Sequence, residues 1–294
     1  MNPHNPLVSI IIPTYNRGNF LYETVRSVLE QTYLNLELII VDNHSTDNTD
    51  RIIKEFNESR IKYFKNHNYG IISVNRNYGI RCAQGDYVCF CDSDDLWEKD
   101  KLSTQLEFME NHKDVALCFS NGKIITENGD LRGDYFQKSP PERITYRTLL
   151  THNYVSTLSV AVRRSALMEV GLFDEAKEIV GIEDFELWIR IAKKYSIRYV
   201  PEKLFRYRIH KGNEMGIDSY RWARKCMILA KYMRSGGTLN FREFMVMYGY
   251  NAIKSLCYYK GIKRLIYLSL VVRVLSENMF YRGCLIRIFM KIPF

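Results

Sequence analysis

Apolar and polar positions follow two alternating periods along the first third of the chain. Val8 to Ile12 (VSIII) is a continuous apolar, β-branched run ending at Pro13, the pattern of a strand buried on both faces. Phe20 to Gln31 carries apolar residues at 21, 25, 28 and 29, a helical period. Glu37 to Val41 (ELIIV) is a second buried strand and stops at Asp42. Asp47 or Thr49 suits the start of the next helix, whose apolar positions are Ile52, Ile53 and Phe56. Arg60 to Lys65 reads as a short third strand, Gly70 to Cys82 as a helix, Asp86 to Cys91 as a fourth strand and Leu102 to Asn111 as another helix. Strands alternating with helices predict right-handed βαβ units and an α/β fold with a mainly parallel sheet. Ligands of such sheets bind beyond the carboxyl ends of the strands. Those ends read Pro13-Thr14-Tyr15-Asn16, Asp42-Asn43-His44-Ser45 and Asp92-Ser93-Asp94-Asp95, and all three are expected to line one crevice. Further on, Val115 to Ser120 and Leu158 to Val162 read as strands. Phe185 to Tyr195 reads as a helix with Phe185, Trp188, Ile189 and Ala192 on one stripe, and the chain from about Ser219 is helical and aromatic-rich.

Composition changes this picture in two places. With 46% hydrophobic residues among 294, a large core is affordable and global disorder is excluded. The charge is uneven: Asp218 to Phe294 holds 14 Lys and Arg against 3 Asp and Glu, a balance of +11, so the remaining residues carry −2 of the overall +9. The basic quarter points to an anionic partner. Its run LIYLSLVV is eight residues between Arg264 and Arg273, too short to span a bilayer, which needs about 20. An interfacial segment at an anionic membrane is expected, with a packed helical subdomain as the bland alternative. A nucleic-acid-binding module is the rival, since 14 aromatics accompany the basic residues, but their aliphatic neighbours suit a membrane surface better and no nucleic acid is expected. Seven cysteines form no C-x-x-C pair, and the N-terminus shows no secretory signal. Together these suggest a cytoplasmic protein, peripheral at the inner face of the cell membrane.

The candidate chemistry lies in YVCFCDSDDLW, Tyr87 to Trp97. Asp92, Asp94 and Asp95 crowd one strand end, where like charges repel and burial removes hydration. Either they cap and hydrogen-bond the turn, Asp95 capping the segment from Leu96, or a cation sits among them. Asp92 and Asp94 point the same way on an extended backbone. Paired oxygens suit Mg²⁺ or Mn²⁺, which keeps waters and takes substrate phosphates for the rest of its shell.

The runs VSIIIPTYNR, ELIIVDNHSTDNT, NRNYGI…GDYVCFCDSDD and GIEDFELWIR together resemble glycosyltransferase family 2, over roughly residues 7 to 212. These are inverting nucleotide-sugar transferases of the Rossmann-like GT-A fold, and the likeness is to members of bacterial polysaccharide and O-antigen biosynthesis. The resemblance implies a GT-A domain over 1–217; 218–294 is the basic, aromatic-rich helical C-terminal region read above from charge and pattern. It implies that Tyr15 stacks on uracil, that Pro13 and Thr14 shape the wall, and that Asp42 hydrogen-bonds the base edge. Arg76 and Asn77 would touch nucleotide and diphosphate. Asp92 would reach the ribose or a metal-bound water, and Asp94 would be the direct ligand of a Mn or Mg ion. Glu183-Asp184 would be the acceptor-side acidic pair, with Asp184 as general base. Arg208 would neutralise the diphosphate, and His210 would complete the metal shell. The expected reaction moves a sugar from a UDP-sugar to a hydroxyl of a glycan or polyprenyl-linked acceptor. An aspartyl phosphotransferase also uses D-x-D after a strand, but Leu96 stands where its usual Thr would be. A sugar-nucleotide pyrophosphorylase needs a Gly-rich loop with Arg that the chain does not show after its first strand.

Overall fold

A computed structural model describes residues 5–211 and 219–256. The chain divides into two compact units, 1–215 and 216–294. In the first, β1 (Val8–Thr14), α1 (Gly18–Leu29), β2 (Leu36–Asp42), α2 (Thr49–Glu55), β3 (Ile61–Lys65), α3 (Ile72–Cys82) and β4 (Tyr87–Phe90) follow the predicted order. Then come β5 (Leu96–Trp97), α4 (Lys101–Asn111), β6 (Val115–Thr126), β7 (Leu131–Asp134), β8 (Arg143–Ile144), α5 (Tyr146–Leu149), β9 (Val160–Arg163), α6 (Arg164–Val170), α7 (Glu183–Lys194) and β10 (Ser196–Ile209). The second unit contains α8 (Ser219–Ser235) packed on α9 (Phe241–Leu256). No helix among the described residues is long and apolar enough to cross a membrane. The segments 265–272 and 282–294, on which the interfacial expectation rests, lie outside the described residues.

One mixed, mainly parallel sheet runs β3-β2-β1-β4-β9-β6-β10-β5, with β7 on β6 and β8 on β10. β3, β2, β1 and β4 are mutually parallel, and β9 lies antiparallel between β4 and β6. Every residue of β1 and β2 is buried, which is why both read as mainly apolar runs, broken inside by Ser9 and Glu37, which pair with each other at 2.6 Å. From β1 the chain winds outward to β2 and β3, then returns to place β4 on the other side of β1. The crossovers therefore diverge between β1 and β4, and a crevice opens at their carboxyl ends.

Glycine is required where these strands begin. A Cβ on Gly85 would lie 2.6 Å from the Leu7 carbonyl oxygen and 2.7 Å from the Ser9 nitrogen, both backbone atoms of the neighbouring strand. Gly85→Ala is expected to cost about 1–3 kcal/mol by overpacking. Urea unfolding measures this, and an unchanged midpoint would show that the strands can separate without penalty.

The strand β10 lies outside the pattern reading. It is interrupted by Pro201 and by charged residues at 202, 203, 206 and 208, which mask any period. Its pairing with β6 shifts register between Val200 and Lys203 and again by Arg206, so the irregularity takes up the proline. Tyr207 and Arg208 thus sit on a strand, and His210 directly follows it.

Candidate active site

A crevice of about 540 Å³ lies at the β1/β4 divergence. Pro13, Thr14 and Tyr15 line it from β1 and Asp92 to Asp95 from the β4 end; Arg76 contributes from α3 and Glu183 from α7. The three polar strand ends do meet, but not all their side chains face inward. Tyr15 is 52% exposed, as a stacking platform must be. The Thr14 hydroxyl is buried without a hydrogen-bond partner. Asp42 is fully buried: Oδ1 accepts from the Ser45 amide (2.9 Å) and hydroxyl (2.6 Å), and Oδ2 accepts from the Tyr63 hydroxyl (2.7 Å). Its neighbour Asn43, and Asn68 after β3, line the crevice instead. Asn16, His44 and Tyr69 adopt left-handed φ values of 49°, 56° and 53°. Each adjoins a crevice-lining residue, and such local strain gathers at functional sites.

The acidic strand end is not a solvated turn. Asp92 Oδ1 accepts from Arg76 Nη2 at 3.1 Å. Asp94 Oδ2 lies 2.9 Å from His210 Nε2 and 3.4 Å from Arg17 Nε. Asp95 does not cap the segment after it: its Oδ1 accepts the Arg208 amide at 2.8 Å, and the following helix begins only at Lys101. Burial pushes the carboxyls of Asp92 and Asp95 up from the ordinary range, and the neighbouring carboxylates push in the same direction. Arg76 opposes this at Asp92, and the Arg208 amide and charge oppose it at Asp95. Among the described residues no three His, Cys, Asp or Glu side chains converge as a closed metal cage. The convergence of Asp94 and His210 fits an open site, in which a hard cation draws its other ligands from phosphate and water. Asp92, turned to Arg76, is less suited to ligate directly.

Arg76 is 5% exposed and bridges the two acidic groups, donating Nη2 to Asp92 and Nη1 to Glu183 Oε1 at 2.8 Å. Burial works against its charge, but Asp92 and Glu183 hold its pKa above the ordinary value. The other Glu183 oxygen accepts from the Gly181 amide at 2.5 Å. Asp184 opens the same helix and accepts from the Thr157 hydroxyl (2.9 Å) and the Phe185 amide (2.7 Å). Burial, then the Glu183 charge, pushes Asp184 up to about 6, against the pull of Arg76 and the Thr157 hydrogen bond.

Two expected contacts fall elsewhere. Asn77 is buried, with its amide donating to the Phe173 carbonyl and Glu175 and its Oδ1 accepting the Phe173 amide. It holds the 173–175 loop and does not face a nucleotide. Arg208 is likewise turned from the crevice. Its guanidinium meets the Asp94 and Glu127 carbonyl oxygens and Glu23, and it lines a separate cavity of about 870 Å³ with Trp97, Glu98 and Arg206. That larger cavity is lined by neither Asp92 nor Asp94, which line the crevice; Asp184 lines neither space, and it is its neighbour Glu183 that reaches the crevice wall. Arg17, Thr157, Asn68 and Tyr207 join the site without a role read from the sequence. Arg17 stands inside the quoted VSIIIPTYNR run and was discoverable there. Thr157 meets Asp184 across 27 positions and carries no local signal.

Comparison with known proteins bears on the family and the fold. The model of glycosyl transferase family 2 matches residues 9–173. TuaG of Bacillus subtilis, a glycosyltransferase assigned to teichuronic acid biosynthesis, is 31% identical over 86% of this chain and 99% of its own. WfaP of Escherichia coli, a UDP-Glc:α-D-GlcNAc-diphosphoundecaprenol β-1,3-glucosyltransferase, is 36% identical over 70% of this chain and 79% of its own. Among solved structures, a mannosyltransferase of Pyrobaculum calidifontis in complex with GDP-Man and Mn²⁺ superposes with a TM-score of 0.63. It is 18% identical and covers 95% of this chain and 83% of that one, a likeness of GT-A fold.

Proposed function

Because the chain belongs to glycosyltransferase family 2, we propose that it transfers a sugar from a UDP-sugar to a hydroxyl of a polyprenyl-linked or other glycan acceptor, inverting the anomeric carbon. The observation that carries this reading is the meeting of Tyr15, Asp92, the Asp94–His210 pair and the Arg76–Glu183 pair at one sheet divergence. The donor base stacks on Tyr15, with Pro13 and Thr14 as wall. Asp42 acts on the base edge through the Ser45 turn it holds, since its oxygens are already engaged. Asp92 takes the ribose side. Arg76, whose buried Nε has no partner, faces the diphosphate. Asp94 and His210 would hold a Mn²⁺ or Mg²⁺ ion, which when bound offsets the charge developing on the leaving nucleoside diphosphate. Asp184 takes the proton of the attacking hydroxyl as the new C–O bond forms opposite the breaking one, so an α-linked donor gives a β-glycoside. The basic region beyond residue 217 would hold the enzyme at the inner, anionic face of the cell membrane, where a lipid-linked acceptor lies.

Asp94→Asn tests the donor half of this reading. It removes the charge that faces His210 and is expected to weaken Mn²⁺-dependent UDP binding by at least about tenfold while the fold survives. Calorimetry with UDP and Mn²⁺ measures it, and unchanged affinity sinks the metal assignment.

A further inference from the structure

Arg208 is among the most deeply buried charges of the sheet, with its side chain 3% exposed. Nε donates to the Asp94 carbonyl oxygen (2.9 Å), Nη1 to the Glu127 carbonyl oxygen (2.7 Å) and Nη2 to Glu23 Oε2 (2.6 Å). Its own amide donates to Asp95 Oδ1 at 2.8 Å. One residue of β10 thereby ties together the loop after β4, the turn between β6 and β7, and helix α1. The guanidinium carbon lies 5.0 Å from the centre of the Phe20 ring, and the same ring lies 4.8 Å from that of His210. Both contacts adjoin the 2.9 Å approach of His210 Nε2 to Asp94 Oδ2, an oxygen that Arg17 Nε also faces at 3.4 Å. Arg208 holds the Asp94 backbone, and Phe20 lies against both Arg208 and the imidazole.

We propose that Arg208 is a positioning residue for a divalent cation between Asp94 and His210, and that it does not touch the donor diphosphate. This rests on the reading of Asp94 and His210 given above. The planar fork of Arg208 meets two carbonyls and a carboxylate at once; an ammonium is a point charge and cannot reproduce that geometry. A cation with only two protein ligands depends on their spacing, and losing a residue that fixes a ligand typically costs 10–100-fold in metal affinity.

The test uses the full chain with UDP and Mn²⁺ as probes. Mn²⁺ affinity in saturating UDP is followed by electron paramagnetic resonance of the free ion, and UDP affinity without cation by calorimetry. Arg208→Lys is expected to weaken Mn²⁺ binding at least about tenfold and to leave cation-free UDP binding within about twofold. Phe20→Leu is expected to shift Mn²⁺ affinity in the same direction. A tenfold loss of cation-free UDP affinity in Arg208→Lys would instead mean contact with the diphosphate and overturn the proposal. So would unchanged Mn²⁺ affinity in a variant that melts normally. If Arg208→Lys does not fold, Phe20→Leu decides by the same two affinities. If the unaltered protein takes up no Mn²⁺ with UDP, the cation reading itself fails and this inference falls with it.

Discussion

Asp184→Asn is expected to lower turnover by about 10²–10⁴-fold while UDP affinity stays within about twofold, because a lost base affects the proton transfer and not the nucleotide pocket. The choice of Asp184 over its neighbour follows from what each carboxylate already holds. Glu183 is buried with one oxygen ion-paired to Arg76 and the other on the Gly181 amide, whereas Asp184 accepts only from the uncharged Thr157 hydroxyl and Phe185 amide. Asp184 is half-buried beside that negative charge and is pushed up to about 6, near the pH at which a base must both ionise and accept a proton. Turnover should therefore rise with pH through about 6 as Asp184 loses its proton. Stability moves the opposite way. The folded state binds this proton more tightly than the unfolded chain, so the group costs stability above about pH 6 and the cost fades as pH falls toward 4. The asparagine variant should then be more stable than the parent at pH 7.5, by on the order of 2 kcal/mol, and the gain should vanish at pH 4. Single-turnover rates and melting curves at the two pH values measure both effects. Near-normal turnover in Asp184→Asn, with Glu183→Gln inactive, would transfer the role to Glu183.

Arg76→Met is expected to destabilise the protein by about 3–5 kcal/mol at pH 7.5, the usual cost of leaving buried partner charges uncompensated. Arg76 stands between Asp92 at 3.1 Å and Glu183 at 2.8 Å, and its guanidinium carbon lies 5.5 Å from the centre of the Phe173 ring. Methionine keeps much of the apolar volume but leaves Glu183 buried without its cation, beside Asp92, whose side chain is 33% exposed to the crevice. Asp92 already sits above its ordinary pKa from burial, with Arg76 opposing, so losing the arginine raises it further. The folded state of the variant would regain stability by taking up protons. Its deficit should therefore shrink as pH falls from 7.5 toward 5, and Glu183→Gln added to Arg76→Met should recover part of it. Urea unfolding of the two variants at both pH values decides this. A loss below about 1 kcal/mol would show that solvent reaches Glu183 as well as Asp92 and that the buried pair contributes little.

Local pattern and tertiary contact divide the remaining account along physical lines. The chain by itself determined the alternation of β1 to α4, since a strand buried on both faces must be apolar at nearly every position and an amphipathic helix must repeat near 3.6. It also determined that three polar strand ends share one crevice, because parallel βαβ winding brings carboxyl ends to one side. Only the tertiary structure decided what each polar side chain meets there. Asp42 turns back onto Ser45 and Tyr63, Asn77 staples a loop, Asp95 holds the Arg208 amide where a cap was expected, and Arg208 grips the acidic loop from behind. The strand β9 was legible as the apolar run Leu158 to Val162, but its antiparallel direction was not, and the bulged β10 lay beyond the pattern because its charges and proline carry no clean period. These partners come from segments as far apart as Glu23 and Arg208. A hydrogen bond depends on direction and distance in space, and no spacing along the chain encodes that until the sheet has closed.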